Sequence, residues 1–411
     1  MTLSIGQTLL IFISGLLPLI VMAYYLGQRR ARITLAQGKA MHSLPRQYGT
    51  FVASWMVLAA VTIAVLAIAA QLLDLAIPPA PFVLVLCLAA AAVALVMALH
   101  CVRPELRARN VIDRFVKLLL FLASLISVLT TIGIIITILF EALRFFNQVS
   151  IWNFITGTEW APVSSFGASQ GGAQSHFGAV PLFLGTFVIT VIAMLVAIPI
   201  GLYAAIFMAE YASPRVRRLT KPLLEMLAGI PTVVYGFFAA ITVSPLVVQA
   251  AAFFGLEASY TNGLAAGLVM GIMIIPFISS LSDDVINAIP NQLREGSYAL
   301  GATQAETVRK IVLPAAFPGI MAAALLGISK ALGETMIVLM AVGVSPHLTI
   351  NPLQSMTTVT VHIVNALTGD QVFQSPETLA AFALALVLSI VTLTLNTVSV
   401  LIIHRFRQNY E

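Results

Sequence analysis

Long uncharged runs alternate with short charged segments along this chain. Residues 118–140, 226–256, 258–282 and 378–404 contain no Asp, Glu, Lys or Arg. Each run exceeds the roughly 20 residues that a helix needs to cross a bilayer. The runs are apolar on all sides, whereas the strands of outer-membrane barrels alternate polar and apolar residues. The pattern therefore predicts an all-α polytopic membrane protein.

The hydrophobic pattern predicts nine transmembrane helices, which lie at 6–26, 50–72, 81–100, 118–141, 179–208, 222–250, 263–282, 318–344 and 378–403. Nineteen of the 21 Lys and Arg residues fall in the tail and in the loops after the first, third, fifth and seventh of these spans. Because basic residues favour the cytoplasmic side, we expect an outside N-terminus and a cytoplasmic C-terminus. The first span has no basic residue before it and no A-x-A-like cleavage site, so it is expected to be a retained anchor.

Composition excludes a soluble protein. The chain has 411 residues, of which 60% are hydrophobic and only 9% are charged, against about 25% charged residues in soluble domains. Cys87 and Cys101 form neither a metal-spaced pair nor a disulfide framework and are expected to be small core residues. His100, His176 and His347 have no second ligand nearby, so no metal site is expected.

Polar and irregular positions divide the chain into two parts. Residues 1–115 form a predicted N-terminal extension of three spans with few intramembrane polar groups. Residues 116–411 form a predicted six-helix core that holds most of the buried polar, glycine and proline positions. The segments 142–178 and 345–377 lie on the outer side of the predicted topology. Because loops of this length are often functional, they are candidate surfaces for an external partner.

The segment 286–318 carries strong local signals for two short helices. Gly301 predicts a helix stop, because glycine tolerates the left-handed conformation. Thr303 followed by Glu306 predicts a capping box that starts a second helix at once. Pro314 is expected to end that helix, with the next span beginning near residue 319. The predicted product is a cytoplasmic two-helix turn that docks on a soluble partner and transmits its movement to the spans.

A DNA-binding helix-turn-helix is a poor alternative for this segment. Such a motif needs clustered basic residues to hold phosphates, and only Arg309 and Lys310 are available here. The expected surroundings are therefore membrane lipid and protein, with no nucleic acid.

The same segment resembles the EAA loop of the permease subunits of ABC importers. The residues that carry the resemblance are Glu295-Gly-Ser-Tyr-Ala-Leu-Gly301, then nine residues, then Ile311-Val-Leu313-Pro314. Gly296-Ser297 replaces the Ala-Ala of the family pattern, which is a change to equally small residues. The resemblance implies that the loop, through Glu295, Gly301, Ile311, Leu313 and Pro314, docks on an ATP-binding subunit.

Two further motifs resemble phosphate-specific permeases of the PstC and PstA type. They are Ala331-Leu-Gly-Glu-Thr-Met336, which follows Lys330 and is closer to the PstC form, and Ala228-Gly-Ile-Pro-Thr-Val-Val-Tyr-Gly236. The resemblance covers roughly residues 115–411. Lys330 stands where many relatives have Arg, and a lysine lacks the guanidinium fork that binds an oxyanion in bidentate fashion.

Charged groups in the eighth predicted span are candidates for the substrate path. Lys330 and Glu334 are four residues apart and are expected on one helix face. A charge near the bilayer centre costs about 2.5–3.5 kcal/mol on insertion scales, and such groups are functional by default. Lys330 would contribute positive charge to an anion path, and Glu334 would position or gate it. A structural ion pair is the alternative. Asp283 and Asp284, which end the seventh span, are expected to be solvated.

Pro231 is expected to kink the sixth predicted span, because it removes one backbone donor. Thr232 and Tyr235 lie beside it and could offer hydroxyl groups to an oxyanion. The alternative interpretation is a packing site at a proline kink whose hydroxyls are already hydrogen-bonded, since small residues commonly serve helix packing in membranes.

The chain has no G-x-x-x-x-G-K-[ST] sequence and is not expected to bind ATP or another cofactor itself. Six core spans are few for a complete pathway, so a second homologous permease subunit is expected. The resemblance implies two copies of an ATP-binding subunit and an extracytoplasmic phosphate-binding protein as further partners.

The sequence thus predicts a permease subunit of an ATP-driven phosphate importer in a bacterial inner membrane. Sulfate, molybdate or phosphonate as the cargo is an alternative, because the EAA loop does not distinguish oxyanions. A membrane subunit that signals external phosphate, and a secondary transporter, are alternatives of other classes.

Overall fold

The computed structural model describes residues 5–37, 40–72, 79–161, 176–368 and 375–407. Within these ranges the regular secondary structure is helical apart from one two-residue antiparallel strand pair, in which Trp160 lies opposite Phe177. The predicted all-α membrane fold is confirmed. Eight helices in the described residues are long and apolar enough to cross a membrane, at Pro45–Ala67, Pro81–Cys101, Ala108–Phe146, Val180–Tyr211, Thr232–Phe253, Gly263–Asn287, Gln304–Leu332 and Pro376–Ile402. A 32-residue helix, Ile5–Ala36, covers the first predicted span.

Contacts divide the chain into two units, Met1–Ile132 and Gly133–Glu411. The division falls inside one long helix, and the boundary at residue 115 stays a prediction. The first unit holds α1 (Ile5–Ala36), α2 (Pro45–Leu72), α3 (Ala80–Cys101) and the first part of α4 (Ala108–Phe146).

Close backbone approach joins α1 to α2 in the first unit. A Cβ on Gly27 would lie 2.9 Å from the Tyr48 carbonyl oxygen, and one on Gly49 would lie 2.7 Å from the Tyr24 carbonyl oxygen. Glycine at both positions lets the two helices touch, as is common between membrane helices. Cys87 is buried as expected, whereas Cys101 at the end of α3 is exposed, so the prediction for Cys101 is wrong.

The second unit contains twelve further helices and the strand pair. Their bounds are α5 (Ile151–Thr156), β1 (Trp160–Ala161), β2 (His176–Phe177), α6 (Val180–Ile206), α7 (Pro214–Ala228), α8 (Thr232–Phe238), α9 (Ser244–Phe253), α10 (Gly263–Asn287), α11 (Asn291–Ala299), α12 (Gln304–Thr307), α13 (Leu313–Leu332), α14 (Met336–Ala341), α15 (Val359–Thr368) and α16 (Pro376–Arg407).

The pair α6 and α10 lies at the centre of the second unit. A Cβ on Gly271 would come within 2.8 Å of the Ala193 carbonyl oxygen, and one on Gly267 within 2.6 Å of the Ile192 side chain. These glycines allow the two helices to pack backbone to backbone. The core cluster built on this pair also takes in Tyr235 of α8 and Ile337 of α14.

Two smaller clusters mark opposite ends of the second unit. Ala205, Ile286 and Val312 pack together where α6 and α10 finish, beside the segment 288–303; we name this the loop end. Leu182 and Leu384 pack together where α6 and α16 begin; we name this the far end.

Three π-helical turns, Phe207–Tyr211, Ala239–Val243 and Val308–Val312, interrupt the regular helices. The last two come just before Pro245 and Pro314. A proline inside an α-helix clashes with the carbonyl four residues earlier and lacks a donor. The wider π turn bonds five residues back, as Leu313 N–H does to the Val308 carbonyl. The helix therefore continues through Pro314 as one span, Gln304–Leu332, and the prediction that Pro314 ends the helix is wrong.

Two predicted spans are interrupted. The sixth, 222–250, divides between α7 and α8 at Gly229–Pro231, and Pro231 is the residue that caps α8. The predicted kink at Pro231 is thus a break between two helices. The eighth, 318–344, ends at Leu332, because Gly333 to Thr335 leave the helix before α14 starts.

Gly185 in α6 is predicted to be essential for packing at the far end. A Cβ there would overlap the Thr357 carbonyl oxygen, and overpacking of this kind costs about 1–3 kcal/mol. We expect Gly185→Ala to lower the apparent melting temperature of the purified protein in detergent by several degrees. Gly133→Ala is the matched control, because a Cβ on Gly133 in α4 meets nothing within 4 Å. Equal melting temperatures for the two variants would contradict the packing argument.

Candidate functional site

The segment 286–318 forms the two-helix turn that its sequence predicts. The first helix, α11, ends before Gly301, whose φ is +80°. Thr303 then caps α12 in a capping box with Glu306: Thr303 N–H donates to Glu306 Oε2 at 3.0 Å, and Glu306 N–H donates to Thr303 Oγ1 at 3.4 Å. The capping box and the glycine stop are both confirmed.

A buried hydrogen bond closes the turn. The hydroxyls of Ser297 in α11 and Thr307 in α12 lie 2.8 Å apart. Ser297 is one of the two residues that depart from the Ala-Ala of the family pattern. In this chain the departure supplies a polar contact between the two helices, where alanine would supply only packing.

The positions that match the EAA pattern differ in their exposure to solvent. Glu295, Gly301 and Pro314 are exposed, and Ile311 and Leu313 are half-buried. Leu300, at the tip between α11 and Gly301, is 90% exposed. Leu293 and Tyr298 of α11 are exposed as well, and a group of exposed apolar side chains on a polar turn is typical of a surface that a partner covers.

A buried ion pair fixes the turn to the central helices. Arg294 Nη2 lies 2.8 Å from Glu210 Oε1, and the side chains of Arg294 and Glu210 are only 13% and 5% exposed. The same guanidinium donates to the carbonyls of Ile286 at 2.8 Å and Ile289 at 2.7 Å. Glu210 lies in the π turn that follows α6, and Ile286 lies in α10. Arg294 therefore ties α11 to the ends of both central helices.

A second charged cluster joins α7 to α10 at the loop end. Arg217 donates to both oxygens of Asp283 at 3.1 and 2.9 Å, and Lys221 Nζ lies 3.2 Å from Asp283 Oδ2 and 3.3 Å from Asp284 Oδ1. Asp283 is fully buried, so its expected solvation is wrong; Asp284 is exposed as expected. Burial of this carboxylate is possible because two cations and Asn287 Nδ2 compensate it.

Lys330 and Glu334 do not share a helix face, contrary to the prediction. Lys330 lies in the last turn of α13 and is exposed, with its Nζ 4.9 Å from the centre of the Phe277 ring. Glu334 lies in the break after Gly333, where its Oε1 accepts the Met336 N–H at 3.1 Å. The two charges form no ion pair with each other, which removes the structural ion-pair alternative and leaves Lys330 without an acidic partner among the described residues.

Thr232 and Tyr235 lie in the first turn of α8, after the break at Pro231. Tyr235 is buried and its hydroxyl donates to the Leu227 carbonyl at 2.9 Å, so it stabilises the break rather than standing free. Thr232 is half-buried. The structure thus favours the interpretation that Tyr235 belongs to a packing site at the break, with its hydroxyl already hydrogen-bonded. Thr232 has the more accessible of the two hydroxyls.

The structure brings the two helix breaks together. Gly236 of α8 packs so closely on α14 that a Cβ there would lie 2.8 Å from the Met336 carbonyl oxygen. Tyr235, Ala331 and Ile337 belong to one cluster with Ile274 of α10. The breaks at Gly229–Pro231 and Gly333–Thr335 therefore flank the same part of α10, which is a feature that the sequence did not predict. Among the described residues, no three His, Cys, Asp or Glu side chains group to hold a metal.

Comparison with known proteins agrees with these features. Residues 197–410, more than half of the chain, match the family model of binding-protein-dependent transport system inner membrane components. Residues 13–77 match a second family model, described as phosphate ATP-binding cassette transporter.

Curated relatives cover a larger part of the chain. A probable ABC transporter permease protein, YqgH of Bacillus subtilis, is 34% identical over 278 residues, which is 67% of this chain and 86% of the relative. The phosphate transport system permease protein PstC of Mesorhizobium japonicum is 32% identical over 66% of this chain and 84% of the relative. A crystal structure of a bacterial alginate ABC transporter covers 70% of this chain and 94% of its own, at 14% identity and a TM-score of 0.46, a likeness too low to carry an argument.

A membrane core with an EAA-like turn, together with these matches, defines a class of protein. The chain belongs to the family of binding-protein-dependent transport system inner membrane components, the permease subunits of ABC importers. Within that family it is a PstC-type permease with an N-terminal extension, and the resemblance predicted from the sequence is confirmed.

The Arg294–Glu210 pair is predicted to hold the turn in place. Removing one member of a buried pair leaves an uncompensated charge, which typically costs about 3–5 kcal/mol. We expect Arg294→Ala to lower the melting temperature markedly, and Glu210→Ala/Arg294→Ala together to cost less than the two single changes summed. Thermal unfolding in detergent measures both effects. Lys310→Ala is the control, since the pair of Lys310 with Glu306 spans 3.7 Å between exposed side chains. If Arg294→Ala lowered the melting temperature no more than Lys310→Ala does, the Arg294–Glu210 pair would not hold the turn in place.

Proposed function

We propose that this chain is a permease subunit of an ATP-driven importer that carries inorganic phosphate across the bacterial inner membrane. The observation that carries the proposal is the two-helix turn at Gly301, because a turn anchored to the central helices and capped by an exposed Leu300 suits a soluble motor subunit. Phosphate as the cargo is supported by relatives that are named phosphate transport system permease proteins.

The proposed topology follows the positive-inside rule. Arg217, Lys221 and Arg294 lie at the loop end, so that end faces the cytoplasm and the N-terminus lies outside. The far end, which carries Trp160 and α15, then faces the extracytoplasmic space. Residues 116–411 act as the six-helix permease core, and residues 1–115 as the extension.

The proposed complex has several subunits. Two copies of an ATP-binding subunit hydrolyse ATP, and one of them docks on Glu295, Gly301, Ile311, Leu313 and Pro314. A second, homologous permease subunit completes the pathway, and an extracytoplasmic binding protein delivers phosphate at the far end. ATP binding moves the turn, and the spans alternate between outward and inward access.

The proposed substrate path passes the two helix breaks. Non-helical backbone at membrane depth is tolerated where it is buried in protein or lines a wet cavity. Lys330 lies next to one break, exposed within this chain and without an acidic partner among the described residues. Its ammonium can attract a phosphate anion, Thr232 can donate a hydroxyl, and Glu334 shapes the start of α14. Tyr235 supports the path by holding the neighbouring break.

Gly301→Asp tests the motor assignment. The change puts a side chain at φ +80° and a carboxylate on the docking surface. We expect normal membrane insertion, loss of ATPase association, and loss of radiolabelled phosphate uptake. Gly255→Asp is a matched control, because Gly255 also has a positive φ, +71°, and open space around it, but lies outside the turn. Normal uptake by Gly301→Asp would rule the assignment out.

Lys330→Ala tests the path. We expect the initial rate of phosphate uptake to fall by about tenfold or more, because removing an opposite charge near an anion costs about 1–4 kcal/mol. Lys330→Arg should retain uptake, since it keeps the charge. Lys117→Ala removes an exposed lysine of α4, outside the turn and the helix breaks, and should change nothing. Competition of wild-type uptake with sulfate, molybdate and phosphonate identifies the cargo; stronger competition by one of these than by unlabelled phosphate would reassign it.

A further inference from the structure

A cavity of about 250 Å³ opens at the far end of the second unit. Four separate parts of the chain form its wall: β1, the segment before α15, α15 itself and the first turns of α16. Its polar wall consists of one indole, one imidazole, one amide and one carboxylate, from Trp160, His362, Asn365 and Glu377. Among the residues that the structure describes, no lysine or arginine lines it, and neither the helix breaks nor the two-helix turn takes part.

Aromatic packing fixes one side of this cavity. Trp160 stands edge to face with Phe177 at 5.8 Å and with Phe154 at 6.5 Å between ring centres, and it is almost fully buried. The His362 ring lies 5.6 Å from the Trp160 ring. Trp160 belongs to the hydrophobic cluster of the far end and cannot move without disturbing it, so this side of the cavity is preformed.

His362 is a neutral hydrogen-bonding group. Burial lowers the pKa of the imidazole to about 4. A hydrogen bond with the Val344 backbone acts in the opposite direction but is the smaller effect. Its Nε2 is buried and has no hydrogen-bond partner among the described residues. A neutral imidazole carries one acceptor nitrogen, and a buried polar atom without a partner costs free energy until a ligand satisfies it.

The carboxylate of Glu377 makes the cavity negatively charged. In the part of the chain that the structure describes, no ion pair involves this carboxylate. A carboxylate repels phosphate, so this cavity is not a binding site for the transported anion. A carboxylate, an aromatic ring and an amide oxygen together match an ammonium or guanidinium group, which carries only donors and is attracted to aromatic faces.

We propose that this cavity receives a lysine or arginine side chain of the binding protein that docks on the far end. The inference rests on the proposed function for the existence of that binding protein and for the outward orientation of this face. The inserted cation would pair with Glu377 and lie against Trp160, which anchors the binding protein independently of its phosphate. A charge-assisted contact in a preformed pocket at an interface has the character of a binding hot spot.

The test is ATPase activity of the reconstituted complex, titrated with the phosphate-loaded binding protein. We expect Glu377→Gln to raise the half-stimulating concentration by about tenfold, since loss of one buried charge pair costs at least about 1.4 kcal/mol. The maximal rate should not change, because the helix breaks and the turn are intact. Glu257→Gln is the matched control: Glu257 is an exposed carboxylate in the loop before α10, and that loop bonds to Leu353 of the same face.

The outcomes separate this inference from the proposed function. If the binding protein fails to stimulate the wild-type complex, the proposed function fails. If it stimulates the wild type, and Glu377→Gln and Glu257→Gln titrate alike, the cavity is not its anchor. Thermal unfolding of Glu377→Gln checks that the variant is folded.

A photo-reactive amino acid at Asn365 gives a second measurement, which does not depend on activity. Asn365 lines the cavity and is exposed. We expect a cross-link to a segment of the binding protein that carries a lysine or arginine. A cross-link only to this chain, or to a segment of the binding protein without a basic residue, would overturn the proposal.

Discussion

The constraint on which this structure depends is that backbone donors and acceptors inside a bilayer must be satisfied within the protein. Two spans of the second unit are broken, and each break is repaired locally. Tyr235 donates its hydroxyl to the Leu227 carbonyl, and Thr360 donates to the Glu334 carbonyl at 2.8 Å. The first bond joins α8 to the end of α7, and the second joins α15 to the break after α13, so each break depends on a neighbouring helix for its repair. A lipid-facing break of the same sequence would have no such partners.

The loop end obeys a related constraint on charge. Asp283 and Glu210 are carboxylates at the ends of apolar helices, and each is buried only because cations from another element neutralise it. These pairs join α7, α10 and the two-helix turn into one connected group. Movement of the turn is therefore passed on to both central helices, instead of being absorbed by a loose connection.

How much the sequence could predict depended on the range of each interaction. The left-handed Gly301 and the Thr303–Glu306 capping box are local, and both were predicted. The effects of Pro231 and Pro314 were mispredicted, because a proline can break a helix, or be accommodated by a π turn, and the choice depends on packing. The pairs Arg294–Glu210 and Arg217–Asp283 join residues far apart in sequence, and no local pattern identifies them. A charged residue at the end of an apolar run, with no opposite charge three or four positions away, was the available signal.

Continuity of the helix through Pro314 has a mechanical consequence. The capped turn that begins at Gln304 and the residue Lys330 belong to one continuous helical span of 29 residues, which includes the π turn Val308–Val312 and is about 40 Å long at 1.5 Å per residue. A rigid rod of this kind transmits torque. Under the proposed function, a twist of this helix about its long axis by the ATP-binding subunit would swing the ammonium at the opposite end through the same angle, without any loop having to fold or unfold. Electrostatic attraction for an anion could then be switched on and off by rotation alone.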